Sequence, residues 1–108
     1  MKMNKYQKEA MRTALNIAKK DVWYSALGLA GEAGEVIEQI KKFYRDDDGI
    51  MTVKRKQKLI RELGDVLWYL ACMAEIWGLN FEDIAKENLA KLAIRFENNS
   101  IKGDGSDR

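Results

Sequence analysis

Apolar positions recur at intervals of three and four along most of the chain, the spacing of one face of an α-helix. Met3, Tyr6, Ala10, Ala14, Ile17 and Ala18 predict a first helix over residues 3–19. A second starts after Asp21, whose carboxylate can cap it, and runs from Val22 to about Tyr44. Asp46-Asp47-Asp48-Gly49 interrupts the pattern as a loop. Thr52 is placed to cap a third helix reaching Trp77, and Gly78 to end it. Asn80 can cap a fourth from Phe81 to about Phe96. Strand-like alternation is lacking, and the expected class is all-α: a four-helix bundle over residues 1–97 with a flexible polar tail over 98–108.

The third helix divides in two. Residues 53–61 carry Lys54, Arg55, Lys56, Lys58 and Arg61, cations at a helix start, where the dipole disfavours them. They read either as a solvated turn offset by the three aspartates before it or as a basic rim for an anionic ligand. From Leu63 onward the helix is apolar nearly all round, which predicts a central, buried element. Leu67, Trp68, Met73 and Trp77 read as core or subunit interface. Asp65 is conspicuous in that setting, because a carboxylate among Leu63, Val66, Leu67, Trp68 and Leu70 is costly unless compensated. Glu62, three residues earlier, projects from the same face. The second helix repeats the device with Glu32 and Glu35, at the edge of a sector made by Leu29, Ala33, Val36, Ile37 and Ile40. Gly28, Gly31 and Gly34 each weaken that helix by about 1 kcal/mol relative to Ala. Close approach of another helix or of a ligand would account for them.

Composition narrows the chemistry. The 108 residues hold no His, which removes His-based general bases, catalytic triads and every His-containing metal motif. The single Cys, Cys72, forms no internal disulfide or thiolate zinc site and reads as inert packing suited to a reducing compartment. Nineteen Lys and Arg against 17 Asp and Glu lack the basic excess of a nucleic-acid binder, leaving residues 54–61 as a minor alternative of that kind. The start has no secretory apolar stretch, and the most apolar run, 63–79, holds Asp65 and Glu75 and is short for a membrane span. A cytoplasmic protein without membrane or nucleic-acid partners is expected. Four carboxylates brought face to face repel unless divalent cations sit between them. All-oxygen donors select Mg²⁺, with Mn²⁺ as a substitute, and Mg²⁺ so held usually keeps phosphate oxygens as further ligands. The di-iron alternative needs Glu-x-x-His pairs.

Two strings carry a resemblance. Gly28-Leu29-Ala30-Gly31-Glu32-Ala33-Gly34-Glu35-Val36, then Glu62-Leu63-Gly64-Asp65-Val66-Leu67-Trp68-Tyr69-Leu70, resemble the MazG-like all-α nucleoside triphosphate pyrophosphohydrolases of the short phage and bacterial type. Their signature is Glu-x-x-Glu, a spacer, then Glu-x-x-Asp; the spacer here is residues 36–61. Tyr6-Gln7, Thr13-Ala14, Asn88-Leu89-Ala90-Lys91-Leu92 and Arg95-Phe96 extend the similarity over residues 4–96. The family's frequent Arg-Tyr-Pro ending is replaced here by Arg95-Phe96-Glu97.

The resemblance implies hydrolysis of a nucleoside triphosphate between the α and β phosphates, giving monophosphate and pyrophosphate, as in nucleotide-pool cleaning. It implies Glu32, Glu35, Glu62 and Asp65 as metal ligands, with Glu35 or Glu32 accepting the proton of the attacking water. Asn88, Lys91 and Arg95 match positions that contact phosphates or a neighbouring subunit, and Tyr69 a position beside the sugar or base. Trp23 and Tyr24 are candidates for the base pocket. A homodimer, or a homotetramer made of two dimers, is also implied. The competing expectation is a non-catalytic helical interaction module whose carboxylates are structural.

Overall fold

The computed structural model describes residues 1–15 and 20–98. They form four helices: α1 (Met3–Met11), α2 (Val22–Asp46), α3 (Val53–Ile76) and α4 (Phe81–Glu97), with no strand among the described residues. The expected all-α class is therefore observed. No helix among the described residues is long and apolar enough to cross a membrane. The expected tail falls almost wholly on residues 99–108, outside the described residues.

Three of the expected caps form. Asp21 accepts hydrogen bonds from the backbone N–H groups of Trp23 and Tyr24 at 2.9 and 3.4 Å. The Thr52 hydroxyl accepts from Arg55 N–H at 3.0 Å, and the Asn80 side-chain carbonyl from Asp83 N–H at 2.9 Å. Each satisfies a donor that the first turn leaves without an intrahelical partner. The turn between α2 and α3 needs left-handed backbone at Asp48 and Gly49 (φ 55° and 71°), and Gly78 (φ 66°) ends α3 in the same way.

The first helix is shorter than its periodicity predicts. It stops at Met11, and residues 12–15 are not helical. The Thr13 hydroxyl donates back to the Ala10 carbonyl at 2.7 Å and accepts from Trp68 Nε1 at 2.9 Å. A side chain that competes for backbone partners in this way favours a helix end over continuation. Ile17 and Ala18, also expected in this helix, lie outside the described residues.

Helices α2 and α3 pair antiparallel over much of their length, and α1 crosses onto the C-terminal half of α3 and the start of α4. The core of the described residues is small: Ala10, Met11, Ala71, Cys72, Ala74 and Phe81, with Tyr6, Tyr24 and Trp68 packed against it. Tyr6 stacks on Phe81 with ring centroids 6.1 Å apart. Burial pushes the Cys72 thiol up, with the nearby Glu75 charge adding to it, which suits inert packing. Gln7 is buried at this junction. Its Nε2 donates to the Leu79 carbonyl (2.9 Å) and to Glu75 (3.3 Å), while its Oε1 accepts from Phe81 N–H (2.8 Å). Asn4 Oδ1 likewise accepts from Glu82 N–H at 2.9 Å, so α1 completes the cap of α4.

The expected all-round burial of α3 is not observed. Only Ala71, Cys72 and Ala74 are buried, whereas Ile60, Leu63, Leu67 and Leu70 are exposed at 56, 50, 38 and 41%. Trp68 and Met73 are half-buried and Trp77 is exposed. Ile60, Leu63, Leu67 and Leu70 are spaced three, four and three apart, the stripe of a helix that packs against another.

Candidate metal centre

Glu32 comes from the middle of α2, and Glu62 and Asp65 from successive turns of α3. Antiparallel pairing sets the three on facing helices, and one carboxylate oxygen of each lies within 4.8 Å of the others. Glu32 and Glu62 are half-buried and Asp65 is exposed, so the acids occupy an open rim. The expectation that Asp65 is enclosed by apolar neighbours is thereby corrected. Its flanking Leu63 and Leu67 face outward, because the α2–α3 pair alone covers one side of α3.

Crowding of like charge shows in Glu32. Partial desolvation, then the negative charges of Asp65, Glu62 and Glu35, raise its carboxyl above the ordinary 4.5. Three converging carboxylate oxygens without a thiolate or imidazole suit a hard divalent cation, so the donor set fits Mg²⁺ or Mn²⁺. Glu35, three residues after Glu32, is exposed and stands outside this trio, though its charge reaches Glu32.

Tyr69 borders the acids on the other side. Its ring fills the space beside Gly28, where a Cβ would overlap the ring carbons, and lies 6.2 Å from the Tyr24 ring. Burial, a hydrogen bond with Tyr24 and the Glu32 charge together push the Tyr69 hydroxyl up. Of the helical glycines in the two motifs, Gly28 alone meets a close neighbour among the described residues; Gly31, Gly34 and Gly64 meet none of them within 4 Å. Trp23 is 75% exposed at the start of α2. Asn88 and Lys91 border a groove along α4 with Leu79, Asp83, Ile84 and Glu87, and none of the four acids lines it. Arg95 is buried near the end of α4. The single chain thus assembles Glu32, Glu62, Asp65 and Tyr69 and leaves Trp23, Asn88 and Lys91 on other surfaces.

Two sets of functional side chains were missed by sequence reasoning. Asn4 and Gln7 cap α4, and their signal is a pair of amides three apart on a helix face otherwise made of Met3, Tyr6 and Ala10. Arg55 pairs with Asp47, one of the three aspartates expected to offset the first turn of α3, but its burial and its bond to Gln39 were not foreseen. Its signal is position: seven residues before Glu62, as Gln39 is seven after Glu32.

Comparison with known proteins agrees with this layout. Residues 25–99 match the model of the MazG nucleotide pyrophosphohydrolase domain, a span that contains all four acids. The chain is 40% identical over 85 residues to the "Gene 37 protein" of Mycobacterium phage L5, covering 79% of this chain and 75% of that protein. It is 34% identical over 74 residues to the "Uncharacterized protein YvdC" of Bacillus subtilis (strain 168), covering 64% and 70% respectively. No solved structure matches. With more than half its residues matched, and three of its four acids converging from the two helices that carry the motifs, this chain belongs to the MazG nucleotide pyrophosphohydrolase domain family.

Proposed function

We propose that the protein is a Mg²⁺-dependent pyrophosphohydrolase that cleaves nucleoside or deoxynucleoside triphosphates between the α and β phosphates, acting in the cytoplasm to clean nucleotide pools. The observation that carries the reading is the convergence of Glu32, Glu62 and Asp65 within 4.8 Å, inside the span that matches the family. These three residues would hold the ion. When bound, Mg²⁺ supplies charge neutralisation at the phosphates and acidifies the attacking water. Glu35, outside the trio but one turn along α2, would accept the proton of the attacking water. Tyr69, fixed against Gly28 and Tyr24, contacts the sugar or base. Lys91 and Arg95 provide cations for the phosphates, and Asn88 and Trp23 further substrate contacts, from a neighbouring subunit.

A homodimer, assembled in pairs into a tetramer, is part of the same proposal. The stripe Ile60, Leu63, Leu67 and Leu70 is apolar, helical in spacing and exposed in the single chain, and a second copy would cover it. Light scattering coupled to gel filtration tests it: a monomer at micromolar concentration refutes the assembly.

The direct test is a panel of nucleoside triphosphates with Mg²⁺, scored for pyrophosphate. Release from at least one substrate, lost in Asp65→Asn with helicity retained, is the expected outcome. Glu35→Gln should lose turnover while still being stabilised by Mg²⁺. The rival reading, a non-catalytic module with structural carboxylates, draws on the exposure of Asp65. It requires that Mg²⁺ and EDTA give the same melting temperature, whereas a site at 100 times its Kd would add about 2.7 kcal/mol.

A further inference from the structure

Arg55 sits in a stretch whose other cations face solvent, yet its side chain is only 11% exposed, and that of its partner Asp47 15%. Its Nε donates to Asp47 Oδ2 at 2.7 Å, and its Nη1 to Gln39 Oε1 at 2.7 Å. Gln39 is itself buried. One guanidinium therefore ties α3 to α2 and to the turn that joins them.

The place of this clamp in the register gives it meaning. Gln39 follows Glu32 by seven residues on α2, and Arg55 precedes Glu62 by seven on antiparallel α3. Seven residues rise about 10.5 Å along either helix. The clamp and the carboxylates are thus successive levels of one interface, and the Tyr69–Gly28 contact borders the acids on the far side. Ligands about 2.1 Å from a Mg²⁺ lie at most about 4.2 Å apart, close to the 4.8 Å within which the trio now lies. A one-residue slip would move a carboxylate about 1.5 Å along the axis and turn it about 100°, which ends the convergence. Apolar contacts tolerate such sliding better than a planar, multiply bonded guanidinium does.

We infer that Arg55 is a positioning residue: its clamp on Asp47 and Gln39 sets the α2–α3 register that brings Glu32 to Glu62 and Asp65. The link to metal affinity rests on the proposed function; the register does not. The test uses the full chain with Mn²⁺ as probe, bound ion being read by electron paramagnetic resonance. In Arg55→Gln, Mn²⁺ affinity should fall about tenfold, the lower end of the loss that follows removal of a direct hydrogen-bond partner of a metal ligand, with helicity by circular dichroism retained. The nuclear Overhauser contact between Gly28 Hα and the Tyr69 ring, recorded in EDTA, should weaken in the same variant. Arg45→Gln, which removes an exposed pair with the adjacent Asp46, should change neither readout. The exchange Asp47→Arg with Arg55→Asp, which rebuilds the ion pair with its sense reversed, should recover both in part. Native Mn²⁺ affinity or an unchanged Overhauser contact in Arg55→Gln overturns the inference, as does an equal loss in Arg45→Gln. If Arg55→Gln unfolds, the exchanged pair decides: a refolded chain that binds Mn²⁺ supports the clamp, and one that does not bind refutes it. Should the parent protein bind no Mn²⁺, the metal reading falls, and the Overhauser contact alone decides the register.

Discussion

Replacing Gly28 by Ala sets two effects of known size against each other. Ala is favoured over Gly inside a helix by about 1 kcal/mol, so the substitution should stabilise α2 wherever the new methyl has room. At Gly28 it has none, because the Cβ would coincide with the Tyr69 ring. The ring must then move, straining its rotamer or giving up its contact and hydrogen bond with Tyr24. Overpacking of this kind costs about 1–3 kcal/mol, leaving Gly28→Ala between neutral and about 2 kcal/mol less stable than the parent. Gly31→Ala on the same helix meets nothing within 4 Å and should gain the full propensity term. The two variants should differ by about 1–3 kcal/mol, a separation in melting temperature of at least about 4 °C for a domain this size. Thermal melts by circular dichroism in EDTA measure it, with Gly34→Ala and Gly64→Ala as further controls. In a Tyr69→Leu background the penalty at residue 28 should vanish, a coupling that a double-mutant cycle reads directly. A Gly28→Ala protein as stable as the best of the three controls would show that Tyr69 does not occupy this position.

Gln7→Leu should lower stability by about 1–3 kcal/mol, the cost of stranding a buried donor, since Phe81 N–H loses its acceptor; an unchanged denaturant midpoint would rule this out. Glu32→Gln tests the crowding of charge. The Glu32 carboxyl is raised in the folded state, so its contribution to stability is complete below the ordinary 4.5 and is lost as pH rises through the raised value. At pH 8 in EDTA the variant should therefore melt above the parent, with little difference at pH 4, and Mg²⁺ should reverse the order at pH 8. Equal shifts at both pH values would exclude the repulsion as its cause.

Three helices were legible because their ends are written locally. Asp21, Thr52 and Asn80 act on backbone donors two or three residues away, and Gly49 and Gly78 supply left-handed turns. The end of α1 was not legible, since Thr13 is held by Trp68, 55 residues distant. Four acids at three-residue spacing disclosed two helix faces, yet which oxygens meet depends on the register between α2 and α3. That register brings Glu32 to Glu62 and Asp65 and leaves Glu35 outside. The apolar run in α3 misled for a related reason: periodicity reports that a face is to be covered, not whether the same chain covers it.

The capping of α4 by Asn4 and Gln7 links residues separated in sequence by 78 and 74 positions. During synthesis the N-terminal segment leaves the ribosome first but has no helix to cap until residue 82 has emerged. The α2–α3 hairpin, closed by a short turn, can form while the rest of the chain is still being made. Joining α1 to α4 therefore closes a long loop, with the entropic cost that such a closure carries. A nascent chain stalled before Phe81 would hold the acid-bearing hairpin without the junction that anchors it to the rest of the molecule.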